Sequence, residues 1–520
     1  MGKMNVSRRF FLGGAASFGA FGGCRFFTAH EFRSGGVPNL KFGVVSDIHV
    51  KYVDKSGKAD KGYGSNATFR RALEWFRGQG VDAVVIAGDM ADNGMDDHLL
   101  AVADAWYDVF PGDRYPDGRP VEKVFVYGNH DYHGFIYGDH AAKRYPDPAE
   151  RAKHVLRADL GGWWRKVFHE DYSRFYAKEI KGYTFLGAHW DDGRGMETKY
   201  GGTTFGVELK AWLDAKGRTL DPTLPFFYVQ HPHPKDTCYG SWAWGHDDGK
   251  VTSALSPFPN AVAFSGHSHY SLTDERSVWQ GAFTSVGTSS LRYTGMPYNE
   301  HLPSGYENTS TEGKDAWRIN AEKMLRGFST GDCCQGMLWS VYDDCAVVKR
   351  REFLSGLDVG DDWVLPLPAA ESKPFAFAEH AKKVAAPAFA AGGKLKVEKI
   401  RAKNRGGKSS NGRESVPSVE RDAFRVTAPA AVADRSARLY DLEFVAEGRD
   451  GRKLSKLVMA EGFNHSTQHA KAKATTSCVF AVDGLPKGEV RFTVVPRNCF
   501  GVAGKPLTSD WEMAQDKIMA

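Results

Sequence analysis

Five short runs of β-branched and aromatic residues set the pattern of the chain: 40–49 (LKFGVVSDIH), 81–89 (VDAVVIAGD), 121–131 (VEKVFVYGNHD), 224–233 (LPFFYVQHPH) and 260–269 (NAVAFSGHSH). Each is nearly continuous in apolar residues rather than alternating, which predicts strands buried on both faces and largely parallel. Each also ends in His, Asp or Asn, which a packed core does not require. Between the early runs the period changes. Phe69, Leu73 and Phe76 recur at helical spacing before the second run, and Leu99, Val102, Trp106 and Val109 do so before the third. Strand, helix and strand in succession make a βαβ unit. Open α/β sheets place their sites beyond the carboxyl ends of their strands, so five polar endings on five strands predict one site.

The rest of the chain follows other rhythms. Residues 147–169 read mainly as helix, with Trp163-Trp164 as core. Residues 173–189 (SRFYAKEIKGYTFLGAH) give two strands joined at Lys181-Gly182, and 336–353 (GMLWSVYDDCAVVKRREF) give a hairpin around Asp343-Asp344 that closes the sheet. Between them, 293–332 form a long excursion with a helical portion near 316–327, of the kind that builds substrate pockets beside strand ends. From 358 to 392 the composition shifts to Pro, Ala and Lys without a period, predicting an extended linker. Beyond it, 439–451, 453–463, 477–485 and 489–501 alternate apolar and polar residues between Gly, Asp and Pro turns, the pattern of a small β-sandwich over 393–515. The stretch 485–506 (LPKGEVRFTVVPRNCFGVAGKP) resembles the late strands of a fibronectin type III domain, with Val490 where such domains usually carry a tyrosine.

At 520 residues the chain is too long for one compact core, in keeping with two folded domains. A net charge of +5 over that length gives no clustered basic footprint for nucleic acid, and the one basic stretch, 394–413, reads as a solvated loop or linker. Residues 1–24 look like an address. Arg8-Arg9 in SRRFFL precede a weakly apolar segment rich in Gly and Ala, which resembles a twin-arginine export signal, followed by a linker over 25–39. Cys24 after Gly22-Gly23 resembles a lipoprotein cleavage site, leaving export with or without a lipid anchor as alternatives. Six cysteines remain after Cys24, and Cys478 with Cys499 is the favoured disulfide if an oxidising compartment forms one.

The strand endings carry the chemistry. Asp47 and His49 lie two apart, as do His267 and His269, so each pair can face one side at an extended strand end. Asp89 offers two carboxylate oxygens and can bridge two cations; Asn129 offers a neutral oxygen, and His231 a nitrogen. These seven residues exceed the needs of one zinc and suit a pair of ions sharing a bridging group. His233 competes with His231 within QHPHP; His231, next to the strand, is preferred. His189 and Asp191, in GAHWDD, end another strand, and contact with substrate or support of the ligands is expected of them.

Asp47-x-His49, Gly88-Asp89, Gly128-Asn129-His130-Asp131, His231 and Gly266-His267-x-His269 resemble the metal-ligand blocks of the calcineurin-like metallophosphoesterases, over roughly 40–357. The resemblance implies a four-layer α/β/β/α sandwich, here followed by a small all-β sandwich domain. It implies one ion held by Asp47, His49, Asp89 and His269, and a second by Asp89, Asn129, His231 and His267. His130 would be the substrate-facing acid, oriented by Asp131. The cofactors would be two divalent or trivalent transition-metal ions (Fe, Zn or Mn), activating water for attack on a phosphomonoester or phosphodiester, small or polymeric. The implied function is an exported phosphoric ester hydrolase, periplasmic or at the cell surface. The alternative is a cell-surface binding protein with the phosphoesterase fold as scaffold and the β domain as adhesion module.

Overall fold

The computed structural model describes residues 36–50, 66–133, 145–190, 203–240, 245–295, 333–367, 373–403, 407–408, 415–416, 420–432, 439–460, 463 and 474–514. The expected helix near 316–327, Asp191, Cys24 and the N-terminal address lie outside them.

The first sheet is built from β1 (Leu40–Val45), β2 (Ala83–Ala87) and β3 (Glu122–Val126), which are parallel and spatially adjacent. Helix α1 (Asn66–Gln79) connects the first two strands, and α2 (Asp96–Val109) the second and third. Phe69, Leu73 and Phe76 of α1 and Leu99, Val102 and Trp106 of α2 are buried with Val84, Ile86 and Phe125, covering one face of the sheet. The other face carries Phe42, Val44, Val85 and Val126. This burial on both faces is why the runs are continuously apolar.

The second sheet begins with β4 (Phe175–Ile180) and β5 (Tyr183–Ala188), whose turn residues Lys181 and Gly182 both have positive φ, as a two-residue hairpin turn with right-handed twist requires. It continues with β6 (Phe226–Val229), β7 (Ala261–Ser265), β8 (Val278–Gln280) and β9 (Thr284–Gly287). The spatial order is β4-β5-β6-β7-β9-β8, with β5, β6, β7 and β9 parallel. Phe185, Phe227, Val262 and Phe264 face the first sheet. Phe42 sits at the seam, its ring 4.9 Å from Phe227 and 5.8 Å from Trp339. The outer face packs Leu209 and Leu213 of helix Thr203–Gly217, and Val251 and Leu255 of helix Lys250–Leu255, on Phe226 and Tyr228. Helices, sheet, sheet and helices form the expected four-layer α/β/β/α sandwich.

Residues 147–169 are mainly helical, as expected, in helices Pro148–Ala152 and Leu160–Phe168 around a 3-10 turn, with Asp159 capping the second start by accepting the Gly162 N–H at 2.7 Å. Several expectations are corrected. The hairpin of β10 (Gln335–Val341) and β11 (Cys345–Glu352) does not close the sheet: β10 lies beside β1, and β11 takes β12 (Leu357–Asp358) and β13 (Trp363–Pro366) beyond it. The stretch 358–392 is therefore no bare spacer. Trp363, Leu365, Leu367 and Phe375 are buried in the core between the sheets, and helix Phe377–Lys383 follows.

The C-terminal region is a separate β domain. A three-stranded sheet in the order Lys396–Lys403, Glu420–Pro429, Thr475–Ala481 faces a four-stranded one in the order Lys453–Met459, Asp441–Gly448, Glu489–Arg497, Leu507–Met513, about a core of Phe424, Phe444, Phe480, Val490 and Phe492. The basic stretch expected as loop contains the strand Lys396–Lys403. All six described cysteines are buried and none is in a disulfide; Cys478 lies in that core and Cys499 in another cluster beside Tyr440, so the expected pairing is not made. Among the described residues, no helix is long and apolar enough to cross a membrane.

Candidate metal centre

The ends of β1, β2, β3, β6 and β7 converge, and Asp47, His49, Asp89, Asn129, His231, His267 and His269 meet there, each buried. Of the twelve described non-glycine residues with positive φ, five are Asp47, His49, Asp89, His267 and His269. That backbone costs roughly 1 kcal/mol per residue. The surrounding fold imposes it where side chains must turn inward.

Three groups offer ligand atoms within 4.8 Å of one another: Asp47, His49 and His269; His49, Asp89 and His130; and Asp89, His231 and His267. Asp89 Oδ2 lies 3.5 Å from His49 Nε2 and 3.2 Å from His231 Nε2, between the two halves of the site. Asp47 Oδ1 lies 3.1 Å from His269 Nε2, and His267 Nδ1 is 3.2 Å from His231 Nε2. Glycines make this closeness possible. A Cβ on Gly88 would stand 2.3 Å from His231 Nδ1, and one on Gly128 2.2 Å from Asp89 Oδ1.

Partners at the far nitrogens aim the rings. His231 Nδ1 is 2.7 Å from the Ala87 carbonyl oxygen, His269 Nδ1 is 3.2 Å from that of Tyr293, and His49 Nδ1 is 3.3 Å from Asp92 Oδ1. Each partner turns Nε2 toward the carboxylates, the orientation that metal-binding histidines need. Burial alone would raise the Asp47 and Asp89 carboxyls, but the neighbouring imidazoles overcome it and hold both well below the usual range. Burial likewise opposes charge on His49 and His231, yet Asp47, Asp92 and Asp89 draw protons onto them and raise both to about 9. A buried carboxylate pair that gathers cations, together with Asn129 Oδ1, buried without a hydrogen-bond partner, fits divalent metal ions.

His130 stands beside this cluster, its ring 4.5 Å from that of His49. Its expected orientation by Asp131 is not what the structure shows. His130 Nδ1 lies 2.7 Å from the Asp92 carbonyl oxygen, whereas Asp131 accepts the backbone N–H groups of Ala91 at 2.6 Å, Gly128 at 2.8 Å and Met90 at 3.2 Å. Asp131 ties two strand ends together instead.

His233 is not drawn into the site: its nitrogens are 2.7 Å from Ser265 Oγ and 2.6 Å from Ser268 Oγ. His189 is also elsewhere. Its Nδ1 accepts the Tyr127 N–H at 3.1 Å among Trp164, Tyr172 and Tyr176, and burial lowers it to about 3, a packed neutral ring rather than a substrate contact.

Sequence reasoning missed Trp190, whose ring lies 6.0 Å from His267, and the segment after β9. There Ser290 Oγ donates to the Asp47 carbonyl oxygen at 3.1 Å, Arg292 pairs with Asp92, and the Tyr293 ring lies 4.2 Å from His269. Asp92 was visible in GDMAD, three residues after Asp89. Nothing in the isolated segment TSSLRYTG marks its role, because Asp47, Asp92 and His269, which it contacts, lie elsewhere in the sequence.

Residues 40–271 match the family model described as calcineurin-like phosphoesterase. No curated protein matches the chain. Among solved structures it is similar to a dimetal phosphatase from Danio rerio, 14% identical over 64% of this chain and 99% of that one, with a TM-score of 0.34. It is also similar to the purple acid phosphatase PPD1 of yellow lupin (Lupinus luteus) seeds, at 12% identity over 63% of this chain and 55% of that one, with a TM-score of 0.37. A third is GAP50, the anchor in the inner membrane complex of Plasmodium, at 12% identity over 66% of this chain and 94% of that one, with a TM-score of 0.35. The chain thus carries a calcineurin-like metallophosphoesterase domain, that of a metal-dependent phosphoester hydrolase.

Proposed function

We propose that the chain is an exported phosphoric ester hydrolase that works with two transition-metal ions, Fe, Zn or Mn, on a phosphomonoester or phosphodiester outside the cytoplasm. The observation that carries this reading is the position of Asp89 Oδ2 between His49 Nε2 and His231 Nε2, one carboxylate oxygen serving both halves of the donor set. Asp47, His49, Asp89 and His269 would hold one ion, and Asp89, Asn129, His231 and His267 the other. Such a pair, when bound, supplies an activated water and neutralises charge on phosphoryl oxygens.

The chain's own residues do the rest. His130, whose Nδ1–H donates to the Asp92 carbonyl oxygen, stands beside His49 to meet the substrate; it would give a proton to the leaving alkoxide oxygen as an imidazolium, the form that burial disfavours and the Asp89 carboxylate favours. Trp190 and Tyr293 wall the site beside His267 and His269. Export rests on the twin-arginine-like segment around Arg8-Arg9, and a lipid anchor on Cys24. A fibronectin type III-like reading of the β domain is supported by its two sheets of three and four strands. A pure scaffold would have no use for five strained polar positions facing one another, which weighs against the adhesion reading. Metal analysis of the purified chain with a panel of chromogenic monoesters and diesters tests the proposal; full turnover after exhaustive chelation would end it.

A further inference from the structure

The loop between β7 and Tyr270 carries two of the seven ligands, and its backbone is strained at both: φ is 71° at His267 and 57° at His269. Something must hold it. The imidazole of His233 lies directly behind, fully buried, and it bonds on either side of His267, with Nδ1 2.7 Å from Ser265 Oγ and Nε2 2.6 Å from Ser268 Oγ. A neutral imidazole has one donor and one acceptor nitrogen, and a hydroxyl can answer either. Both ring nitrogens are therefore satisfied by the same four-residue turn. The loop side of the clamp is closed further, since Ser268 N donates to the Gly266 carbonyl oxygen at 2.8 Å and Tyr270 N to Ser268 Oγ at 3.3 Å. His233 is itself anchored, its backbone N–H donating to the Gly245 carbonyl oxygen at 3.0 Å. It shares its own segment with His231, the other nitrogen ligand on that side of the site.

We infer that His233 is a positioning residue for the ion assigned to Asp89, Asn129, His231 and His267, acting through Ser265 and Ser268 to keep His267 Nδ1 facing His231 Nε2. The inference rests on the two-ion reading above. It names no new ligand: His233 reaches the ion only through the loop.

The test uses the full-length chain loaded with Co²⁺ and Mn²⁺, comparing the unaltered protein with His233→Phe, which keeps a ring but no side-chain hydrogen bonds, and Ser268→Ala, which removes the Ser268 Oγ bonds to His233 and to the Tyr270 N–H. Calorimetric titration with Mn²⁺ should show two sites in the unaltered chain. In each variant one of them should weaken, by about ten- to hundredfold for His233→Phe and less for Ser268→Ala. The Co²⁺ visible spectrum should change in both, which a loss of stability alone would not produce. If His233→Phe does not fold, Ser268→Ala decides. Variants with the unaltered chain's affinities and spectrum overturn the clamp while leaving the two-ion reading intact. An unaltered chain that takes up fewer than two ions overturns that reading and the clamp with it.

Discussion

Asp89 Oδ1 accepts the backbone N–H of His130 at 2.8 Å, so the residue assigned to both ions also seats the residue assigned to the substrate. Its other oxygen faces His49 and His231. Asp89→Ala should therefore remove both ions and loosen His130 together. Elemental analysis of the purified variant should find well under one ion per chain, and one full equivalent would show that the two halves do not share Asp89.

His130 and Asp131 are neighbours with separable duties. His130→Ala should keep the metal content and lower kcat by roughly a hundredfold or more, with a smaller loss for esters of acidic leaving groups. Asp131→Ala strands three buried N–H groups, at about 1 kcal/mol or more each. It should lower the melting temperature and the metal content as well as kcat. A stable, metal-replete Asp131→Ala chain with only kcat reduced would restore Asp131 as the orienting partner of His130.

Asp92 divides its main chain and side chain between two tasks: its carbonyl oxygen aims His130, and its carboxylate faces His49 and Arg292. Asp92→Ala should weaken one ion by about ten- to hundredfold, as loss of a ligand's supporting partner usually does, while leaving the His130 contact in place. Metal titration followed by kinetics at saturating metal separates the two. If saturating metal fails to recover most of the turnover, the carboxylate acts on the chemistry directly.

What was legible in the sequence follows from the physics of each element. Two-sided burial makes strands such as Ala83–Ala87 continuously apolar, and a ligand must be His, Asp or Asn, so fold and site showed together in the five strand endings. The strand Lys396–Lys403 was hidden because only Val397 packs on the core, its other side chains being largely basic or small. Leu357–Asp358 and Trp363–Pro366 were hidden by the prolines and acidic residues around them, although edge strands tolerate both. Ser290, Arg292 and Tyr293 escaped because they serve ligands that lie far from them in sequence.

The last prediction concerns where the chain can be cut. The turn Glu275–Ser277, a few residues past His269, joins both domains to the core: Glu275 accepts from Arg350 at 2.8 Å and from Trp363 Nε1 at 2.7 Å, while Arg276, paired with Asp274, lies 5.0 Å over the Tyr440 ring of the β domain. Phe500 adds a second contact, 4.9 Å from His380, and Asn498 donates to the Ala385 carbonyl oxygen at 3.3 Å. Truncation after Leu357 removes Trp363, Leu365 and Leu367 from the core at about 1.5–3 kcal/mol each, comparable to a domain's whole net stability, and takes the Trp363 Nε1 partner from buried Glu275. That fragment should aggregate or melt far below the full chain. Truncation after Ala386 keeps the first sheet and helix Phe377–Lys383 and gives up only the contacts to the β domain. It should remain soluble with a lowered melting temperature, bind two ions, and turn over small soluble esters at close to the full-chain rate. A fragment ending at Leu357 as stable as the full chain would show that β13 is dispensable. A soluble, metal-replete fragment ending at Ala386 without turnover would show that the docked β domain holds the turn after His269 in its working position.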